Sequence, residues 1–429
     1  MESCVRMRRA VPASVTVLLV LFCTAVVRAQ STFNVGVSVH LAAHTDMLPG
    51  QLSLIVQAGA DSVRDDVDWD HIEMEKDHLV MPSGFDDLVN QALKANVQPL
   101  LILDYGNRFY DSGDKPASPQ ALTAFARYAA FVVQHFKGKV HMYEMWNEWN
   151  TTTGNTHPGT PQDYVRLLRV VYPAVKAIDP SAVFIAGAVG GRDFNWLSAM
   201  LSAGSLGSFD ALSIHPYNFG QPVRTGDAWA RDMVATEDVI HRYTGGHDLP
   251  LYITEMGWPT YSGANGISPQ EAATNLAQMF LLARTMKFLN GIWWYDFRDD
   301  GWDASNKEND FGLVRPDLTP KAAFAALETV APLVRDALSV EDASTGSQTI
   351  RVLRFRLGGG KQVLAVWNIN HAGVARVRVA GTTALKIRST QPDDNDVDAL
   401  DSGVKEREIE VSHIPVLITG ANLAIRGID

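Results

Sequence analysis

The sequence predicts an α/β fold, a (β/α)8 barrel, followed by a small antiparallel β domain. Three observations carry this reading. Eight short β-rich runs alternate with amphipathic helical patterns between Phe33 and about Arg335. Alternating units of that kind over about 250 to 300 residues are what an eight-stranded α/β barrel occupies. Beyond about Asp336 the helical period stops and period-two alternation takes over. The competing architecture is a doubly wound open sheet. No Gly-x-Gly-x-x-Gly follows the first run, so its dinucleotide-binding version lacks the phosphate turn.

Taken in order, residues 1–29 read as a secretion signal. Arg6, Arg8 and Arg9 form a basic start, Val15 to Phe22 is apolar, and Val27-Arg28-Ala29 ends on a small residue. The apolar run is short for a membrane span, which needs about 20 residues. Cleavage after Ala29 removes Cys4 and Cys23, the only cysteines, so the exported chain must rely on its core. The catalytic barrel is expected over 30–335, with strands Asn34–His40, Ser62–Val67, Val97–Asp104, Val140–Asn147, Ala182–Ala188, Ala211–Tyr217, Leu251–Glu255 and Gly291–Phe297. Helices are expected at Pro119–Phe136, Pro161–Ile178 and Pro269–Phe288, each opening on a proline that suits a first helical turn. The β domain, 336–429, is read from Thr349–Leu357, Gln362–Ile369, Ala375–Val379 and Glu408–Ile418, with Gly358-Gly359-Gly360 as a hairpin turn. It holds only two aromatic residues, Phe355 and Trp367, which makes it a buttress rather than a sugar-binding module.

Composition narrows the partners. Hydrophobic residues at 46% and charged residues at 20% are ordinary globular values and exclude a disordered, collagen-like or coiled-coil chain. A net charge of −11 argues against nucleic acid, which requires a basic face. No stretch after the signal is long and apolar enough to span a membrane, so a soluble product is expected, with secreted or periplasmic localisation. Nothing in the sequence speaks to oligomeric state.

In an α/β barrel, reactive groups sit at the C-terminal ends of the strands. The fourth expected strand ends Tyr143-Glu144-Met145-Trp146-Asn147-Glu148-Trp149-Asn150, and the seventh ends Tyr252-Ile253-Thr254-Glu255-Met256-Gly257-Trp258-Pro259. Two carboxylates therefore arrive at one face, an arrangement that suits cleavage of a glycosidic bond. Glu144 and Glu148 share a face by alternation, but Glu144 lies about 13 Å deeper and belongs to the barrel floor. Glu148 is the one at the rim.

Here the sequence resembles clan A glycoside hydrolases. Trp146-Asn147-Glu148 is similar to their acid/base motif, and Thr254-Glu255-Met256-Gly257-Trp258 to their nucleophile strand. The likeness continues at Ser62-Val63-Arg64, at Ser213-Ile214-His215-Pro216-Tyr217 and at Trp293-Trp294-Tyr295-Asp296-Phe297-Arg298-Asp299-Asp300-Gly301. It extends to Phe311-Gly312-Leu313-Val314-Arg315-Pro316-Asp317 with Pro320-Lys321. It covers roughly 33–335 and is to family 39-like enzymes, including bacterial hydrolases of biofilm exopolysaccharide.

The resemblance implies a retaining double displacement, with Glu255 as the ionised nucleophile and Glu148 as the acid/base, holding its proton near neutral pH until the glycosyl-enzyme forms. Arg64 is a fixed cation beside Glu255, or else an ion-pair partner of Asp65, Asp66 or Asp68. Asn147 resembles the clan's ligand of the sugar 2-hydroxyl. Tyr217 is a hydrogen-bond donor to Glu255, and His215 lines the floor. Trp294 is similar to the family's last-strand platform, which leaves Trp293 facing the helices. Asp104, in Asp104-Tyr105-Gly106-Asn107, and His40 resemble cleft positions. Eight tryptophans near strand ends (69, 146, 149, 229, 258, 293, 294 and 302) suit a carbohydrate cleft, because aromatic faces stack on sugar rings. Trp149 stands where the clan usually has proline, and either reshapes the leaving-group side or adds a stacking surface.

Other readings carry distinct marks. A metal-dependent hydrolase lacks His-x-His and His-Glu-x-x-His here, and the His40 and His44 spacing is no metal pair on a strand. A non-catalytic carbohydrate-binding relative usually loses one of the two carboxylates. A transglycosylase shares every catalytic residue with a hydrolase. No cofactor and no metal is implied, since the carboxylates suffice. The partner is a carbohydrate. Long rim segments at 148–160 and 298–319 either wall off a pocket or flank an open groove, so endo and exo action both stay open. The acidic chain disfavours an acidic polymer, with Arg108 and Arg298 as local cations that could override this.

Overall fold

The computed structural model describes residues 33–344, 347–370, 373–391 and 405–428; the signal read at 1–29 lies outside them. Eight parallel strands close into a barrel in chain order. They are β1 Asn34–Ser38, β2 Ser62–Asp68, β3 Gln98–Asp104, β4 Met142–Met145, β5 Val183–Gly190, β6 Ala211–His215, β7 Leu251–Met256 and β8 Leu289–Trp294. A helix follows each: α1 Leu48–Gln57, α2 Ser83–Lys94, α3 Pro119–His135, α4 Pro161–Ile178, α5 Phe194–Ser202, α6 Gly226–Thr244, α7 Pro269–Ala283 and α8 Ala322–Asp336. The prolines of α3, α4 and α7 sit in the first turn behind capping hydroxyls. Ser118 accepts from the Ala121 amide at 3.2 Å and Thr160 from that of Asp163 at 3.1 Å. Ser268 and Glu271 form a reciprocal capping box.

Most barrel strands read as continuous apolar runs because helices cover one face and the packed interior the other. The interior floor is Leu100, Ile102, Met142, Ile185, Ala211, Tyr252 and Trp293. Trp293, expected to face the helices, points inward and donates its Nε1 hydrogen to Ser62 Oγ at 3.1 Å. Gly36 makes room for it: a Cβ there would lie 2.2 Å from Trp293 Cδ1. The assumed phase of alternation on β8 was therefore reversed.

After α8 come two antiparallel sheets, as the sequence predicts. The first contains β9 Ser339–Asp342, β10 Ile350–Arg356, β11 Gln362–Asn368, β13 Lys386–Ser389 and β15 Val416–Gly420. The second contains β12 Ala375–Ala380, β14 Glu406–Val411 and β16 Ala424–Ile428. The expected strand Glu408–Ile418 is thus two strands in different sheets. Pro415 has no ladder hydrogen to give, and the chain turns at Ser412, whose Oγ accepts from the Ile414 amide at 3.2 Å. Strands β9, β13 and β16 were not anticipated.

One face of the five-stranded sheet packs on the other sheet through Ile350, Val352, Leu364 and Val366. Leu353, Phe355, Val363, Ala365, Trp367 and Leu417 join the core that runs between barrel and helices. Trp367 Nε1 donates to Asp227 Oδ2 at 3.1 Å, at the start of α6. Thr32–Asp429 forms one compact unit.

Candidate active site

The acid/base segment departs from strand geometry where the chemistry begins. β4 stops at Met145, and Trp146 and Glu148 take the left-handed region at φ 64° and 49°. Each such residue costs about 1–2 kcal/mol relative to ordinary backbone. The two turns let neighbours Asn147 and Glu148 both face the cleft, which strict alternation forbids. Main-chain bonds hold the shape: Trp146 N to Leu103 O at 3.0 Å and Glu148 N to Ala188 O at 3.1 Å. Gly190 lets the carboxyl pack close, since a Cβ there would lie 2.7 Å from Glu148 Cδ.

Arg64, on β2, is the centre of the charge network. It donates Nη1 to Glu255 Oε1 at 2.7 Å, Nε to Glu144 Oε2 at 2.7 Å and Nη2 to Asn147 Oδ1 at 3.0 Å. The alternative partners Asp65 and Asp68 play no part in these bonds. Burial opposes the guanidinium's charge, but Glu144 and Glu255 beside it outweigh that and raise its affinity for the proton. Glu144 is fully buried, as its depth predicted, and Tyr217 Oη donates to Glu255 Oε2 at 2.9 Å. Asn147 in turn donates Nδ2 to Tyr105 Oη at 2.9 Å.

His215 does more than line the floor. Its Nδ1 lies 3.0 Å from Glu148 Oε1 and 3.6 Å from Glu255 Oε2, while Nε2 meets Thr254 Oγ1 at 3.1 Å. Burial works against the imidazolium, yet the Glu255 charge and the Glu148 hydrogen bond outweigh it and raise the His215 pKa above its ordinary value. The converse holds at Glu148. Burial pushes its pKa up, but the hydrogen bond and charge of His215, then Thr153 Oγ1 donating at 2.9 Å, hold the carboxyl below the usual glutamate value. The two shifts run in opposite senses, so Glu148 and His215 compete for a proton across their 3.0 Å contact. One oxygen of each carboxylate and a His215 nitrogen lie within 4.8 Å of one another.

The cleft has a volume of about 550 Å³. His40 lines it with a half-exposed ring, its Nδ1 3.9 Å from Asp66 Oδ2. Three expected cleft residues are absent from its lining: His215, fully buried behind Glu148 and Glu255, and two more. Trp294 is 1% exposed, donates Nε1 to Phe311 O at 3.1 Å and packs toward Trp258 behind the wall. It faces the helices because Trp293 faces in. Asp104 is fully buried with both carboxylate oxygens unpartnered. Burial first, then the Asp66 and Asp68 charges, push its pKa well above the ordinary value. Trp149 adds no stacking surface: it is 1% exposed, donates to Thr160 O at 3.1 Å and packs on Trp146 and Tyr164. The aromatic lining is Tyr105, Tyr217, Phe219, Tyr295 and Phe311, with no tryptophan.

Several cleft residues were missed. Asp66 lies two positions after Arg64 on β2, so alternation alone places it inward. Thr153 and the trio Lys307, Glu308 and Phe311 come from rim loops and carry no periodic signal. A separate group, His40, Asp296 and Asp300, also brings ligand-type atoms within 4.8 Å of one another. Arg298 lines the same small side cavity, which weighs against a cation there.

No protein-family model matches the chain, and no curated protein matches it by sequence. Solved structures do. A family 39 glycoside hydrolase from the gut symbiont Bacteroides cellulosilyticus is 25% identical with a TM-score of 0.75, over 91% of this chain and 81% of that one. The family 39 enzyme from Xanthomonas axonopodis, at 15% identity and TM-score 0.64, shares the fold over 91% and 94% of the two chains. So does a monomeric β-xylosidase from Caulobacter crescentus, at 14% identity and TM-score 0.63, over 91% and 96%. Across the barrel and the β domain the chain is thus similar to family 39 glycoside hydrolases, and it brings two carboxylates together at the C-terminal ends of β4 and β7.

Proposed function

We propose that the protein is an exported, retaining β-glycoside hydrolase that cleaves oligo- or polysaccharide through a covalent glycosyl-enzyme on Glu255. The separation of the two carboxylates carries this reading: an oxygen of each lies within 4.8 Å of the other. Retaining enzymes hold their carboxyl groups about 5 to 5.5 Å apart, whereas inversion needs about 6.5 to 9.5 Å to admit a water. Glu255, fixed by Arg64 and Tyr217, attacks the anomeric carbon as the bond to the leaving oxygen breaks. The proton for that oxygen passes from His215 Nδ1 to Glu148, 3.0 Å away, and on to the departing sugar. Glu148 then takes a proton from water, which attacks the same carbon and frees Glu255, and hands that proton back to His215. Asn147 sits beside the nucleophile with its amide held by Arg64 and Tyr105, in position for the 2-hydroxyl.

The test is hydrolysis of aryl β-glycosides and polysaccharides by the native chain and by Glu255→Ala, with azide present. The expected result is an inactive variant in which azide restores turnover and yields the α-glycosyl azide. A fully active Glu255→Ala enzyme sinks the assignment. Product analysis with a good sugar acceptor separates hydrolysis from transglycosylation. Export is tested by sequencing the N-terminus of the extracytoplasmic protein, expected at Gln30.

A further inference from the structure

Of the ten tryptophans, nine are buried and one is not. Trp302 is 67% exposed. Leaving so large an apolar ring in water forgoes the burial that the other nine obtain, and its position gives the exposure a use. It lies on the loop between β8 and α8, the loop that also supplies Lys307, Glu308 and Phe311 to the cleft wall. The loop doubles back on itself, so that Gly301 and Asp303, on either side of Trp302, meet Asn309, the neighbour of Glu308. A Cβ on Gly301 would lie 3.0 Å from the Asn309 side chain, and Asn309 Nδ2 donates to Asp303 O at 3.2 Å.

The backbone just after the ring is pinned by hydrogen bonds. Asp303 Oδ1 accepts from Ser305 N at 3.0 Å and from Ser305 Oγ at 2.7 Å. Ala304 O accepts from both N and Oγ of Ser262 on the neighbouring β7–α7 loop, at 2.8 and 2.9 Å. An indole held exposed beside a carbohydrate cleft whose own lining lacks tryptophan offers a flat face for a sugar ring.

Charge narrows the sugar. The cleft presents Asp66, Glu148, Glu255 and Glu308. Its full cations are engaged: Arg64 on Glu144, Glu255 and Asn147, and Lys307 on Glu308 at 2.9 Å and over the Phe219 ring at 5.4 Å. Outside the lining, Arg108 is paired with Asp70 at 2.9 Å, and Arg298, which lines the adjoining side cavity, donates to Pro316 O at 3.4 Å. No uncommitted guanidinium or ammonium is left in the lining to receive a uronate carboxylate.

We propose that Trp302 is the stacking platform of an outer subsite, and that the enzyme takes an extended neutral glycan and grips a sugar ring beyond the bond it cuts. The proposal rests on the glycosidase reading, and the experiment separates the two. Because the other tryptophans are buried, acrylamide-quenchable fluorescence reports Trp302, and Trp302→Phe should abolish it. The full chain carrying Glu255→Gln is titrated with neutral β-linked hexasaccharides (xylo-, gluco- and galacto-), with their monosaccharides and with a hexauronate. Alongside, the chain with Glu255 intact is assayed on aryl glycosides.

A neutral hexasaccharide should bind and shield Trp302 from acrylamide, while its monosaccharide does not. Trp302→Ala should lower the ratio of kcat/KM for hexasaccharide over aryl glycoside about five- to tenfold, and Trp302→Phe should restore most of it. Hexasaccharide binding by calorimetry with quenching unchanged overturns the subsite. Tighter binding of the hexauronate overturns the neutral class. Aryl glycoside cleavage without any neutral hexasaccharide binding at millimolar concentration overturns the subsite while leaving the glycosidase reading standing; failure of both removes both.

Discussion

Replacing Arg64 by methionine tests the charge network at its centre. The guanidinium is 3% exposed and makes two short charged bonds and one neutral one, to Glu144, Glu255 and Asn147. Methionine fills much of the volume but returns no donor, so Glu144, fully buried, keeps its charge with no cation near it. Removing one partner of a buried ion pair costs about 3–5 kcal/mol. At roughly 2 °C per kcal/mol for a chain of this size, Tm falls by about 6–10 °C. Adding Glu144→Gln to Arg64→Met removes the stranded charge and should recover at least half of that loss, a coupling of about 2 kcal/mol or more. Activity behaves differently: both variants lose about 100-fold or more in kcat/KM, since Glu255 loses its anchor whether or not Glu144 is neutral. Scanning calorimetry of the native chain and the two variants, with initial rates on one aryl glycoside, reads all of this. A Tm loss below about 2 °C, or a double variant no more stable than Arg64→Met, refutes the reasoning.

His215→Asn should move the basic limb of the kcat/KM profile to lower pH. The transferable proton then rests on a carboxyl instead of an imidazolium whose pKa lies above 6.5, and an unmoved limb removes His215 from the proton path. The same shift fixes a stability trend. The pKa of His215 is raised on folding, so its contribution is full below pH 6.5 and is lost as pH rises through the folded value; the variant's Tm should lack that component. Trp293→Ala should cost about 3–5 kcal/mol in a urea titration, because it empties the barrel floor against Leu100, Ile102 and Tyr252 and removes the indole donor to the Ser62 hydroxyl. Activity should be unchanged after prolonged treatment with a chelator, since the two carboxylates and His215 perform the proton and nucleophile chemistry; loss of turnover restored by a divalent ion counts against the mechanism.

The positions legible in the sequence were those with a strong local signal. Glu148 and Glu255 stood out because each ends a strand, and Arg64 because a cation is costly in a β-run otherwise destined for burial. Two kinds of position were illegible. Phase along a strand is a global property: Trp293 and Trp294 are equally apolar, and only Gly36 across β1 and the bulges in β7–β8 pairing decide which one turns inward. Crowding was equally misleading for the tryptophans, since the rings that gather at strand ends mostly wedge helices onto the barrel, as Trp149 and Trp258 do. Rim loops hide their contribution for another reason. Thr153 and Lys307 reach the cleft through turns, and turns carry no repeating pattern. The break at Pro415 was readable from proline's missing hydrogen, yet the apolar run on either side masked it.

The inner face of the C-terminal sheet has a consequence for how the molecule is partitioned. Leu353, Phe355 and Trp367 belong to the same buried cluster as the barrel's helices, so the change of texture near Asp336 marks a change of topology and not of cohesion. A chain cut there would present helices α6 and α7 with a greasy flank and the Asp227 carboxylate without its indole donor. The two regions therefore cohere as one object, and the inward residues of the β domain pack on the barrel's helices as those helices pack on one another.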